Sequence, residues 1–277
     1  RRFDAVHLLV NNAGLTYPPG LEPGTEGMRS KHGRDLLFTV NYLSHFLLVE
    51  KLLPRLGRAS SPGARIVHLT STYHFMVDGS ELIPRLDDGG VPIGPTAYQV
   101  DPSLVSERHV GRSYANSKLA QIWHSRSVRG CPSTCACPTW AGTGIAGEAN
   151  REFLERWAFP IPGAGVASAL NAMFRSDDEL GDALNDGSDG GGGGRSIVAN
   201  SRILEYLPLK RLWLSDWATR SGWRDKVVDF ASLILLLGQR YTFEEFLIQR
   251  SSPESYGNEE GREALYKWSL KEVEPWL

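Results

Sequence analysis

The sequence predicts an α/β fold built on a parallel sheet, and three observations predict it. Short apolar runs of strand length alternate with longer runs of helical period, which is the pattern of strands joined by helical crossovers. The first strand-like run, Ala5 to Val10, is largely apolar rather than alternating, as a strand buried on both faces is. Polar residues then stand at the carboxyl end of each such run, where ligands of parallel sheets sit.

The elements follow in order. Ala5 to Val10 is a short apolar run that stops at Asn11-Asn12-Ala13-Gly14 and reads as a core strand ending in a loop. Asp35 to Leu56 places Leu36, Leu37, Val40, Leu43, Phe46, Leu47, Leu52 and Leu53 at helical spacing, interrupted near Pro54. Arg65 to Leu69 is a second strand, preceded by the Ser60-Ser61-Pro62-Gly63 turn and followed by Thr70, Ser71 and Thr72. Residues 76 to 112, rich in Gly, Pro and Asp, read as an irregular excursion. Ser113 to Val128 reads as a helix with Tyr114 at its start, and Ser133 to Cys137 as a third strand ended by Pro138. Residues 163 to 175 suggest another helix, and Ser196 to Asn200 a last strand. Between them, 177 to 195 reads as a disordered insertion with five consecutive glycines; it lacks the flanking strand and helix of a phosphate loop. The division is a partial α/β domain over 1 to 200 and a helical C-terminal extension over 201 to 277.

Composition excludes some functions. The 277 residues, 41% hydrophobic, can bury one substantial core. Thirty basic against 32 acidic residues leave a net charge of -2, so nothing in the charge asks for a nucleic acid. Cys131, Cys135 and Cys137 lack the spaced pairs of a thiolate metal site and read as reduced core thiols of a reducing compartment. His68, His74, His109 and His124 show no metal-like pairing and read as surface or hydrogen-bonded histidines, so no metal is expected. The longest apolar run, Phe230 to Leu237, is under half the length that spans a bilayer. It follows Trp213, Trp217 and Trp223 amid Arg and Lys; a packed core helix is favoured, with peripheral membrane contact as the alternative.

Tyr114 and Lys118 stand four apart on a helix, so both project from one face. A free tyrosine titrates near pH 10, and an ammonium nearby favours the phenolate and lowers that value. Such a pair suits proton exchange as a ketone is reduced or an alcohol oxidised. Taken alone the spacing fits an exposed helix pair equally well, and the argument rests on what accompanies it.

What accompanies it is an ordered set: Asn11-Asn12-Ala13-Gly14 after a strand, Asn41 in Val40-Asn41-Tyr42 on the next helix, Ser71 after the next strand, then Tyr114-Ala115-Asn116-Ser117-Lys118. In this the chain resembles the short-chain dehydrogenase/reductase family over about residues 4 to 200. The resemblance implies a Rossmann-type doubly wound sheet and an NAD(P)-dependent oxidoreductase. It implies that Ser71 bonds the substrate oxygen, Tyr114 is the acid/base, Lys118 tunes it and binds the nicotinamide ribose, and Asn41 holds a water in a proton relay. Cofactor contacts would come from Asn12, Ala13, Gly14, Tyr114 and Lys118, and from Pro138 and Thr143 of Pro138-Thr139-Trp140-Ala141-Gly142-Thr143, which keeps the family's proline and threonine but not the glycine between them.

Departures shape the remaining expectations. The family's glycine-rich turn, at whose helix N-terminus the pyrophosphate binds, has no match, so the first three strands are expected to lack a counterpart. NAD or NADP is expected, with NADP favoured. The C-terminal stretches Ser252 to Tyr256 and Leu265 to Ser269, with apolar Phe153 to Ile161 where the family has its substrate loop, resemble retinol-dehydrogenase-like or 3-ketosteroid-reductase-like members. A small lipophilic alcohol or carbonyl is therefore the expected substrate, in the cytoplasm or on the cytosolic face of a membrane, with oligomers allowed. The alternative from another class is a non-catalytic fragment or scaffold that cannot hold cofactor.

Overall fold

The structure is a computed structural model that describes residues 3–16, 28–58, 63–71, 73–74, 77–90, 92–99, 107–138, 168–170, 172–174, 197–199, 247–249 and 258–277. In chain order these hold β1 (Leu8–Asn11), helix α1 (Leu36–Leu56), β2 (Arg65–Leu69), β3 (Pro84–Leu86), β4 (Pro92–Pro95), α2 (Glu107–Ser127), β5 (Ser133–Cys137), β6 (Ile197–Ala199), β7 (Leu247–Gln249) and α3 (Glu259–Val273). The main sheet has the order β1-β2-β5-β6-β7. Its first four strands run parallel, with Leu9 opposite Ile66, His68 opposite Cys135 and Ala136 opposite Val198, and β7 closes it antiparallel to β6. The α/β reading, with parallel strands joined through helices, therefore holds.

Strands β2 and β5 match the bounds read from sequence. The helices depart from them. α1 runs through Pro54 in its last turn, and its irregularity lies instead in a π-helical turn over Thr39–Leu43. A π turn inserts a residue and breaks the regular carbonyl ladder. Here the break turns Asn41 toward β1 and α2. α1 is also long and apolar enough to cross a membrane, but it connects two parallel strands and buries Phe46, Val49 and Leu56 in the core.

α2 begins at Glu107, six residues before the predicted start, because Glu107 to Arg112 carry no apolar period that would mark a first turn. Tyr114 therefore lies two turns inside the helix rather than at its start. From Ser113 to Ser125 every described side chain except that of Tyr114 is buried. This helix is enclosed between the sheet and a second layer.

That second layer comes largely from the excursion and the C-terminus. The 76 to 112 stretch holds an antiparallel pair, β3 and β4, with Pro84 opposite Pro95. Gly79 seats the stretch against α2: its φ is +82°, and a Cβ there would lie 2.6 Å from Trp123 Cζ2, so only glycine fits. Outside it, α3 completes the core, with Trp268 against Tyr98 at 5.1 Å between ring centroids and the Tyr42 hydroxyl 2.7 Å from Ser269 Oγ. The helical C-terminal extension is present in α3, which packs into the same core as α1 and α2, and β7 adds a strand to the sheet from beyond residue 200. The 177 to 195 insertion, the Trp213 to Trp223 segment, Phe230 to Leu237 and Phe153 to Ile161 lie outside the described residues.

Candidate active site

The end of β2 is stapled to α2 by two hydrogen bonds that fix Lys118. Thr70 Oγ1 donates to the Lys118 carbonyl at 3.0 Å, and Lys118 Nζ donates to the Leu69 carbonyl at 2.8 Å. Lys118 is thereby held at the carboxyl edge of the sheet rather than extended into water. Four residues earlier on the same face, Tyr114 lies with Lys118 Nζ 5.4 Å from its ring centroid and Tyr73 edge-on at 5.5 Å. Ser71, just past the strand end, shares a side-chain hydrogen bond with Tyr114. Ser71 is itself placed by its carbonyl, which takes the His74 backbone N–H at 3.1 Å and stands 2.7 Å from His74 Nδ1. Three residues singled out from sequence therefore meet within one small region.

Asn41 joins them from the other side. Its amide closes a two-way bond with the Leu15 peptide, accepting from N–H and donating to C=O, both at 2.9 Å, and Nδ2 also reaches Ser117 Oγ at 3.0 Å. Asn41 thus ties the loop after β1 to α2. Its own carbonyl accepts from Gln121 Nε2 at 2.7 Å. In that loop Asn12, Ala13 and Gly14 are exposed. At Gly14 a Cβ would stand 3.3 Å from Asn41 Oδ1, a tight contact, and 3.6 Å from Lys118 Nζ, an ordinary one. Pro138, half-buried, follows β5, and Thr143 lies outside the described residues.

Burial dominates the electrostatics. It is the largest influence on Tyr114 and pushes its phenol upward; Cys137 adds to this and the Ser71 hydrogen bond opposes it. Tyr114 is therefore a neutral proton donor here. Burial lowers Lys118 to about 8, since a charge in this position has lost its water and has only partial compensation. A lysine titrating there can release a proton near neutral pH.

The sequence reads His68, His74, His109 and His124 as surface or hydrogen-bonded, and His68 bonds Asn11 while His74 bonds Ser71. His68 and His124 are fully buried, not on the surface, and the Nε2 atom of each lacks a hydrogen bond to protein. Their strands and helices carry them inward because each follows the apolar or small residues of a buried segment. His74 is buried and bonded to Ser71 as described, and the side chain of His109 lies outside the described residues. Two functional candidates escaped the sequence reading, His45 and Gln121, whose Nδ1 and Nε2 atoms stand 3.2 Å apart. Helical spacing held the signal: His45 is four residues after Asn41 and Gln121 three after Lys118, each on its partner's face. Cys131, Cys135 and Cys137 are buried and not joined in disulfides among the described residues, and burial pushes Cys135 up to about 12.

Among curated proteins, the chain is 31% identical over 191 residues to a polyprenol dehydrogenase of Danio rerio, covering 63% of this chain and 51% of that protein. It is 24% identical over 230 residues to the short-chain dehydrogenase/reductase prx1 of Penicillium rubens, covering 75% of this chain and 60% of that one. It is 32% identical over 146 residues to retinol dehydrogenase 12 of Mus musculus, covering 43% and 41%. The chain is related to the short-chain dehydrogenases/reductases. It spans about half the length of the curated relatives it matches. No family model matches it.

The residues present suit the nicotinamide half of the cofactor that short-chain dehydrogenases/reductases use. The Gly14 loop is exposed and its glycine lies beside Asn41 Oδ1 and Lys118 Nζ, and Tyr114 with Ser71 lies at the same strand edge. Residues 12 to 14, Tyr114 and Lys118 are those that would hold it.

Proposed function

We propose that this chain contributes the catalytic half of an NAD(P)-dependent oxidoreductase that interconverts a lipophilic alcohol and its ketone or aldehyde. The single observation that carries the reading is the meeting of Ser71, Tyr114 and Lys118 at the carboxyl edge of β2, with Asn41 beneath them. Bound there, the nicotinamide supplies or accepts the hydride. Ser71 holds the substrate oxygen, and Tyr114 gives that oxygen its proton during reduction or takes one during oxidation. Lys118 returns a proton to the phenolate and steadies the ribose, while Asn41 sets the distance between the Gly14 loop and α2. Asn12, Ala13, Gly14 and Pro138 and, by the family resemblance alone, Thr143 would hold the cofactor, with NADP favoured over NAD.

The substrate class rests on the names of two relatives, which act on a polyprenol and on retinol, both isoprenoid alcohols. A retinoid- or steroid-sized lipophile follows. Such a substrate suits an enzyme at the cytosolic face of a membrane, with peripheral contact through the C-terminal region. In the complete gene product, reduced cofactor should be consumed with retinal or a steroid ketone, and Tyr114→Phe should lower turnover at least about 100-fold. Turnover of Tyr114→Phe within tenfold of wild type would remove Tyr114 from the reaction.

A further inference from the structure

A second tyrosine at the strand edge has no part in the reaction as described. Tyr73 lies two residues past Ser71, and its backbone N–H donates to Ser71 Oγ at 3.3 Å. The next residue, His74, closes the turn: its backbone N–H and Nδ1 stand 3.1 and 2.7 Å from the Ser71 carbonyl, and its side chain is buried. Tyr73 is thus carried on a main-chain turn pinned to the serine that would hold the substrate oxygen. Its ring meets the Tyr114 ring at 81° with 5.5 Å between centroids, and it also packs on the main core cluster.

These contacts fix where the ring lies relative to a substrate. Ser71 Oγ and the Tyr114 hydroxyl both take the carbonyl oxygen, so that oxygen sits between two groups that Tyr73 touches, one through its backbone and one through its ring. The group bonded to the carbonyl carbon therefore starts beside the Tyr73 ring. The other neighbours of Tyr114 differ in kind. Lys118 and, beyond it, Gly14 lie toward the nicotinamide, and Met28, Leu37, Leu15 and Leu36 form an aliphatic cluster against the Tyr114 ring. Among the described residues Tyr73 is the one aromatic ring packed on Tyr114, and it is half-buried, so part of it remains open. Burial raises its phenol above the ordinary value, so it stands as an uncharged aromatic wall.

Aromatic rings favour flat π partners, edge-to-face or offset, and such a pair adds roughly two- to tenfold in affinity beyond the area it buries. A saturated chain has tetrahedral carbons with hydrogens above and below its plane, and it presents no π face. We propose that Tyr73 is the specificity-determining residue of the site, selecting carbonyls conjugated to a double bond or an aromatic ring over saturated carbonyls of the same length. This rests on the oxidoreductase reading and names its substrate class. The double bond takes no part in the redox step. The reduced nicotinamide gives its hydride to the carbonyl carbon, Tyr114 gives its proton to the oxygen, and the product is the allylic or benzylic alcohol with the C=C bond intact. Oxidation of that alcohol runs the same transfers backward.

The test has two arms. The first gives the complete gene product equal amounts of citral, a conjugated aldehyde, and citronellal, its saturated counterpart, with limiting reduced cofactor, and reads both alcohols by gas chromatography. The product ratio equals the ratio of kcat/KM values and does not depend on how much enzyme is folded, so it survives a variant of low yield. The difference in intrinsic reactivity between the aldehydes cancels when variants are compared. Tyr73→Leu should lower the preference for citral about fivefold, and Tyr73→Phe, which keeps the ring, should stay within about twofold of wild type. A Tyr73→Leu ratio equal to wild type would refute the selection, including the case in which both alcohols fall together, since Tyr73 would then only brace Tyr114. The second arm needs no turnover. With tyrosine rings labelled with 13C and Tyr73 assigned through Tyr73→Phe, cinnamamide, which carries no reducible aldehyde, should shift the Tyr73 ring signals in nuclear magnetic resonance and bind at least about threefold tighter than 3-phenylpropanamide. Equal binding, or Tyr73 signals that do not move, would refute the selection as well. Tighter cinnamamide binding in a protein that reduces neither aldehyde would count against the oxidoreductase reading and support Tyr73 as the selecting ring.

Discussion

Two layers of the same helix, α2, treat polar groups in opposite ways. At the strand edge, the side chains of Lys118, Ser71 and Asn41 are each bonded to main chain, so the backbone sets their positions. One turn below, the histidines meet mainly other side chains and leave several atoms without a protein partner. Fixed main-chain anchors preorganise a site for a reacting atom. Unsatisfied side chains at equal depth cost stability unless water or protons use them. The upper layer is thus fixed by main chain and the lower largely by side chains, and substitutions should separate the two.

The largest effect belongs to Lys118→Met. It removes the ammonium but keeps the length and the packing, so turnover should fall about 100-fold, near 2.7 kcal/mol of barrier, while unfolding in denaturant moves little. It should move little or rise, because a buried charge already shifted to about 8 is replaced by a neutral chain. A large loss of stability with activity retained would invert the roles of the layers.

Gly79→Ala should act on the wall that encloses both layers. With φ at +82° and Trp123 Cζ2 only 2.6 Å from the new methyl, we expect a loss of about 2 kcal/mol in denaturant unfolding. An unchanged midpoint would mean that the excursion does not pack on α2 as described.

A smaller effect is expected from Asn41→Ala, which frees the Leu15 peptide and Ser117 and should cost about 1 kcal/mol or somewhat more. Amide exchange at Leu15 should quicken more than exchange along β2. Equal quickening at both would show that the tether is not local.

The lower layer should show itself in pH. His45 and His124 have folded values below the ordinary 6.5, so the unfolded chain binds more protons between about 4 and 6.5. Stability from these groups is therefore complete above 6.5 and is lost as pH falls, on the order of 1 kcal/mol per pH unit for each. Thermal unfolding from pH 7 to 5 should show this slope, and His124→Phe should flatten it.

Much of the upper layer was legible in the sequence because its residues sit at strand ends or at i, i+4 spacing, where position follows from local pattern. Arg65 to Leu69 and Ser133 to Cys137 were readable as strands for the same reason. The lower layer was legible only in the helical spacing of His45 from Asn41 and of Gln121 from Lys118. His68 follows Ile66 and Val67 in a buried strand and His45 precedes Phe46 in a core helix, so a polar residue there reads as a surface interruption until its neighbours are known. The C-terminal helix shows another limit: Trp268 and Ser269 pack on Tyr98 and Tyr42, residues more than 160 positions earlier in the chain, and no local pattern carries such a pairing.

The central claim is hydride transfer at a site where Tyr114 supplies the proton. The complete gene product mixed with nicotinamide cofactor deuterated at the reducing carbon and a lipophilic carbonyl such as retinal tests it in one experiment read by mass spectrometry. The account predicts an alcohol carrying one deuterium on its carbinol carbon from wild type, and at most about one hundredth of that amount from Tyr114→Phe over the same time. An alcohol formed without deuterium, or formed equally by Tyr114→Phe, would contradict it.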